Sequence, residues 1–178
     1  MEARFVVWVH EHANPWLDTL FVFTHLLGMA AFVATLVLGS IAWHVARREP
    51  RQALLWFLLG LSTLAVLQGV KPWVLRSRPE LWPPLVAQGG YSFPSGHAII
   101  GATFYPLIAH DVARRFPRLS GLAWTVAVVL AAFIGFGRIY LGLHWPTDVL
   151  AGWAIGAVQL ALGLAWLRLG RGAPSKAS

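Results

Sequence analysis

The chain has 178 residues, 57% of them hydrophobic and only 12% charged, with a mean hydropathy of +0.63. An average soluble domain carries about 25% charged residues, so an ordinary water-soluble domain is excluded. Several apolar runs reach the ~20 residues that a helix needs to cross a bilayer. The net charge of +7 does not indicate nucleic-acid binding, because Lys and Arg sit between apolar runs and not along one face. With no cysteine, disulfides and thiolate metal sites are excluded as well.

Met1-Glu2-Ala3-Arg4 carries no signal-peptide pattern. Residues 1–16 mix Phe5, Val6, Val7, Trp8 and Val9 with His10, Glu11, His12 and Asn14. They are too short and polar to span and read as an interfacial helix. A first span is predicted from Leu17 to Ala46, ended by Arg47-Arg48-Glu49-Pro50-Arg51 with Pro50 as the breaker. A second runs from Ala53 to Val70 and stops at Lys71-Pro72. Trp73 to Phe93, with Pro79, Pro83, Pro84, Gly89 and Gly90, reads as a polar loop. The third span starts near Ser95 and runs to Val112, and the fourth runs from Leu122 to Leu141. The fifth runs from Pro146, suited to a first helical turn, to Leu167. Residues 168–178 form a basic, flexible tail. The predicted fold is an all-α polytopic transmembrane bundle of five to six spans, one domain over 1–178, with a polar outer-face loop.

If five spans alternate, Arg47, Arg48, Arg51, the basic residues of 114–118 and those from Arg168 onward share one side. The positive-inside rule puts that side in the cytoplasm. The other side then collects three polar stretches: Lys71 to Pro79, Phe93-Pro94-Ser95-Gly96-His97, and Gly137-Arg138 to His144 and Asp148. Trp8, Trp16, Trp73, Trp82 and Trp145 fall near the outer interface, and Trp43, Trp56, Trp124 and Trp166 near the inner one, as aromatic belts do. Gly152-x-x-x-Gly156 suits close helix packing in lipid.

The three polar stretches have the makings of one phosphate-handling site. Gly96 can bend at a helix N-terminus, where unpaired N–H groups favour anions. Lys71, Arg78 and Arg138 can donate to an oxyanion, Arg as a planar fork and Lys as a point charge; taken singly, each is equally a snorkelling basic residue. His144 and Asp148 are four apart, so the carboxylate can hold one imidazole nitrogen and leave the other as nucleophile or base. His97 is then placed to protonate a leaving oxygen. His and Asp also bind zinc, but a third convincing ligand is lacking, because His110 and Asp111 belong to the opposite face. His10, His12, His25 and His44 read as interfacial or packing residues.

Lys71-x6-Arg78-Pro79, Pro94-Ser95-Gly96-His97 and Arg138-x5-His144-x3-Asp148 resemble the three motifs of the type 2 phosphatidic acid phosphatase superfamily. Its members include membrane lipid phosphatases, soluble acid phosphatases and vanadium haloperoxidases. The resemblance covers residues 71–148, with the spacing inside each motif intact. It implies that His144 attacks phosphorus to form a phosphohistidine, that Asp148 orients it, and that His97 acts as general acid. Lys71, Arg78 and Arg138, with Ser95 and the backbone of Gly96, would bind the phosphate oxygens; neither metal nor cofactor is implied. The sequence departs from the family in having Gly137 where a Ser is usual, which removes one hydroxyl contact to phosphate worth ~1 kcal/mol.

The short core and outward site further resemble undecaprenyl pyrophosphate phosphatases, with phosphatidylglycerophosphate or phosphatidic acid phosphatase as the alternative. The implied partners are a lipid phosphate and the bilayer, in a bacterial cytoplasmic membrane with the site facing the periplasm or exterior. A non-catalytic lipid-phosphate binder or transporter would need the cations but not an oriented nucleophile. A haloperoxidase is out of place in a membrane-embedded chain.

Overall fold

A computed structural model of the chain describes residues 1–169, so the predicted tail lies outside the described residues except for Arg168 and Leu169. The elements are α1 (Glu2–Glu11), α2 (Pro15–Leu27), α3 (Ala30–Ala46), α4 (Pro50–Val74), α5 (Gly96–Arg115), α6 (Ser120–Tyr140) and α7 (Pro146–Leu169). A short 3₁₀ turn, Pro117–Leu119, precedes α6, and there is no strand among the described residues. The protein is an all-helical bundle.

By length and apolarity α4, α6 with its leading turn, and α7 can each cross a membrane, and α2 with α3, bent by 47°, is apolar enough to cross as a fourth if the pair acts as one span. The predicted continuous span from Leu17 to Ala46 is therefore broken at Gly28 and Met29. No polar residue marks the break, but α5 supplies partners for the carbonyls it exposes. Tyr105 donates its hydroxyl to Leu27 O at 3.1 Å, and His97 Nε2 donates to His25 O at 3.1 Å. Carbonyls at a helix end need such partners at membrane depth.

The α5 helix is long enough to cross, at ~1.5 Å per residue, yet is not among the apolar span candidates. It carries His97, Thr103, Tyr105, His110 and Asp111, and every residue from His97 to Leu107 is buried. Its neighbours meet the lipid in its place, with Phe57, Leu64, Val128, Leu150 and Leu162 exposed on α4, α6 and α7. A helix enclosed by others needs no apolar outer stripe. Gly152 and Gly156 make that enclosure possible. A Cβ on Gly152 would lie 2.7 Å from Ala98 Cβ, and one on Gly156 would lie 2.6 Å from Ile99 O. The small-residue step thus seats α7 directly on the backbone of α5.

The helix α4 runs on past Lys71 to Val74, with Pro72 inside its last turns, and ends at Leu75 in a left-handed conformation (φ 53°). The α1 helix has ten residues, far fewer than a span needs. It buries Val6 and Val9, and its His10 stacks on Trp82 of the long loop at 3.7 Å.

At the end of the bundle away from the three motifs, His44 is fully enclosed between two carboxylates. Its Nδ1 lies 2.7 Å from Glu49 Oε2 and its Nε2 lies 3.0 Å from Asp111 Oδ2. Trp56 Nε1 donates to the same Asp111 oxygen at 2.9 Å, and Arg115 donates to Glu49 at 2.9 Å. His44 is therefore a structural clamp, and Trp56 (1% exposed) is core and not part of an aromatic belt.

Candidate active site

All three motifs end at the same pole of the bundle. Pro146 and the start of α7 sit against the start of α5, because Ser95 N donates to Asp148 O at 3.1 Å. Between α6 and α7 the chain turns at Gly142, whose φ of +67° suits glycine. That turn folds Leu143 and His144 back so that both backbone N–H groups donate to Arg138 O, at 3.0 and 3.2 Å. Arg138, His144 and Asp148 are each at most 1% exposed.

The imidazole of His144 has Arg78 Nη1 3.2 Å from its Nε2 and Asp148 Oδ2 3.4 Å from its Nδ1. A guanidinium only donates, so Nε2 is the accepting nitrogen and the neutral ring carries its proton on Nδ1, towards the carboxylate. The Asp148 contact is an electrostatic one and not a closed hydrogen bond. Burial pushes His144 down to about 3, with the charges of Arg138 and Arg78 adding to it and Asp148 opposing. The ring is thus neutral at ordinary pH, with a lone pair on Nε2.

Arg138 lies on the other side. Its Nη1 donates to His25 Nδ1 at 2.6 Å, its Nη2 donates to Gln88 Oε1, and its Nε has no hydrogen-bond partner. His25 also stacks on His97, ring centroids 4.9 Å apart and nearly parallel at 10°. Because a carbonyl only accepts, the His97–His25 O contact fixes the His97 proton on Nε2 and leaves Nδ1 as the free nitrogen.

The remaining cations hold the loop. Arg78 donates to the carbonyls of Gly89, Gly90 and Leu143, at 3.1, 3.0 and 2.6 Å, and burial lowers its pKa. Lys71 donates to Tyr91 O at 3.0 Å. Ser95 is completely buried at the N-cap of α5, with a hydroxyl that has no partner, and Gly96 opens the helix beside it. All eight residues singled out from the sequence therefore gather at one pole. His25 and Gln88 join them without having been singled out. A histidine in an apolar run three residues before a glycine was a usable signal for His25, since ionisable groups at membrane depth are costly. Nothing in the sequence marked Gln88.

Gly137 has a structural reason. A Cβ there would lie 2.9 Å from both Phe21 Cδ1 and Thr24 Oγ1. The α2 helix fills the space that a serine side chain would need.

A buried, cation-rich cluster at the shared ends of helices defines a class: helical membrane proteins that handle an anionic group at the bilayer edge. The family model described as the PAP2 superfamily matches residues 22–170, and the chain belongs to that superfamily, among its membrane lipid phosphatases, which are hydrolases of phosphate esters. Among its relatives, phosphatidylglycerophosphatase B of Bacillus subtilis (strain 168) is 34% identical over 152 residues, covering 84% of this chain and 74% of the relative. The undecaprenyl-diphosphatase of Sulfolobus acidocaldarius is 28% identical over 159 residues, covering 87% of this chain and 61% of its own. The crystal structure of a transmembrane PAP2-type phosphatidylglycerolphosphate phosphatase from Bacillus subtilis superposes with a TM-score of 0.87 at 29% identity, over 94% of this chain and 85% of that one.

Proposed function

We propose that the enzyme removes phosphate from a lipid headgroup through a phosphohistidine on His144, with phosphatidylglycerophosphate as its substrate. The observation that carries this reading is uncommitted hydrogen-bonding capacity in a cationic setting. Ser95 Oγ and Arg138 Nε are buried side-chain atoms without hydrogen-bond partners at one pole. Buried polar groups are rarely left so, and donors pre-aimed in a dry site are what a transferring phosphoryl group requires.

The phosphate displaces Arg78 from His144 Nε2, which attacks phosphorus as the bond to the lipid oxygen breaks. Asp148 holds the Nδ1 proton, so positive charge developing on the ring meets a carboxylate. His97 takes up a second proton on its free Nδ1 as the anionic substrate enters, delivers it to the departing lipid oxygen, and regains one from the water that hydrolyses the phosphohistidine. Arg138, Arg78 and Lys71 neutralise the equatorial oxygens, with Ser95 and the N-terminus of α5. The distribution of Lys and Arg along the sequence supports an active pole on the outer side of a bacterial cytoplasmic membrane.

The preference for phosphatidylglycerophosphate draws on the two Bacillus comparisons. A second reading, undecaprenyl pyrophosphate, draws on the Sulfolobus relative. The test is phosphate release by the purified chain in detergent with EDTA, on those two lipids and phosphatidic acid side by side. His144→Ala is expected to abolish release, and vanadate to inhibit the wild type. Release by His144→Ala at the wild-type rate would rule out the nucleophile; a higher rate on undecaprenyl pyrophosphate would replace the substrate.

A further inference from the structure

Asp148 serves more than His144. Its Oδ2 faces His144 and accepts from Trp145 N at 2.9 Å, while its Oδ1 accepts from Arg76 Nη1 at 2.6 Å. Arg76 stands between Lys71 and Arg78 but matches no position of the three motifs. Its guanidinium also donates to Thr147 Oγ1 at 2.7 Å and lies over the Trp145 ring at 5.6 Å. Its Nη2 donates to Glu2 Oε2 at 2.6 Å. The other oxygen of Glu2 accepts from Thr147 N at 3.0 Å and from Thr147 Oγ1 at 2.7 Å. Thr147 N is one of the first-turn donors of α7 that have no partner within the helix. A carboxylate from the opposite end of the sequence thus caps the helix that carries Asp148, where the helix dipole favours an anion.

We propose that Arg76 and Glu2 are positioning residues of the reaction, the outer members of a relay of contacts Glu2–Arg76–Asp148–His144. The proposal rests on His144 as the nucleophile and deepens that reading. A carboxylate held at one oxygen only can swing. Here charge-assisted bonds fix one oxygen to Arg76, so the other stays aimed at the imidazole. Arg76 acts directly on Asp148, and Glu2 acts by holding Arg76 and the first turn of α7. The α1 helix is thereby a working part of the site, with its first residue three contacts from the reacting nitrogen.

The experiment compares wild type, Arg76→Gln, Arg76→Lys, Glu2→Gln and the double variant Glu2→Gln/Arg76→Gln as full-length protein in detergent. kcat and KM for phosphatidylglycerophosphate are followed across pH, and rates are normalised to folded protein by thermal unfolding. For Arg76→Gln, kcat should fall about 10–100-fold, as expected for a misaligned catalytic group, with KM within about twofold. Its acid limb should move to higher pH, because losing a positive charge beside Asp148 eases proton uptake by the Asp148–His144 pair. Arg76→Lys should recover part of kcat. Glu2→Gln should lower kcat less, and should add nothing in the Arg76→Gln background. A raised KM at unchanged kcat in Arg76→Gln would make Arg76 a substrate ligand and overturn the proposal. An unmoved acid limb with additive Glu2 and Arg76 effects would reduce the contacts to scaffolding and overturn it too. His144→Ala separates the two levels: activity in that variant removes the nucleophile itself, whereas an inactive His144→Ala beside an unaffected Arg76→Gln removes only the relay.

Discussion

The two poles of the bundle are built from the same residue types and differ in what they leave open. Away from the motifs, His44 is clasped by Glu49 and Asp111, and Arg115 and Trp56 complete the set. What remains there are acceptors: Gln52 Oε1 has no hydrogen-bond partner, and Asp111 Oδ1 has only Arg114 at 3.8 Å. At the motif pole the open groups are the N–H of Arg138 Nε and the hydroxyl of Ser95, with Lys71, Arg76 and Arg78 nearby. One pole is a closed clamp that ties α3, α4 and α5 together. The other is a cradle short of negative charge, and its fitness for an anion lies in being incomplete. A histidine between carboxylates and a histidine between a carboxylate and a guanidinium are therefore different devices, and burial alone does not tell them apart.

The sharpest way to break this comparison is to remove one cation or carboxylate from each pole. Arg138→Gln should lower kcat for phosphate release by about 10²–10³-fold, the usual cost of losing one oxyanion donor. Asp111→Asn should leave kcat per folded molecule within about twofold, since the poles are far apart and share no partner. It should instead cost about 3 kcal/mol of stability, because His44 and Arg114 lose a common anion in a buried setting. Steady-state rates and unfolding in mixed micelles check both. If Asp111→Asn abolished turnover while the fold held, the division of labour would be gone.

The gathering of the motif residues was legible in the sequence because each lies at a span end marked by Pro, Gly or a charge run, and alternation forces those ends to one side. Glu2 and Arg76 were not legible, and His25 was legible only as a polar group out of place. Glu2 meets Arg76 across 74 positions and Thr147 across 145, and no periodicity reports a contact of that range. The residues 1–16 looked like a surface helix because five apolar side chains suffice for that reading, whereas one carboxylate at position 2 decides the contact. His25 sat in an unbroken apolar run, and the bend after it is stabilised by α5 and not by any local signal. The α5 helix itself was placed correctly by its flanking motifs, though its composition alone is too polar for a span.

Gly137 sharpens the comparison at smaller scale. The serine usual in the family would bring a hydroxyl to this position. In this bundle Phe21 and Thr24, 4% and 5% exposed, already occupy that volume. Gly137→Ser should therefore destabilise the protein by about 1–3 kcal/mol, as overpacking does, and lower activity in step with the folded fraction. Tighter substrate binding without loss of stability would show that α2 yields there, and that the motif pole is softer than its packing implies.

The smallest effect expected is on stability against pH, where the two poles should part company. The folded His144 resists protonation down to about 3, chiefly through burial, against an ordinary value of 6.5. The unfolded chain therefore binds the proton first, so this contribution is complete above pH ~6.5 and is lost progressively as pH falls towards 3. Glu49 at the other pole is held below its ordinary 4.5 by the hydrogen bond from His44 and the charge of Arg115, against some desolvation. Its contribution is complete above pH 4.5 and fades only as pH falls through the lowered folded value. Between pH 6.5 and 4.5 the motif pole should thus weaken first. In that window His144→Ala should reduce the slope of unfolding free energy by up to about 1.4 kcal/mol per pH unit, one proton's worth, while Glu49→Gln should leave it unchanged. Equal slopes in wild type and His144→Ala would mean that the imidazole takes up its proton in the folded state, and with it goes the neutral nucleophile that the cradle is built around.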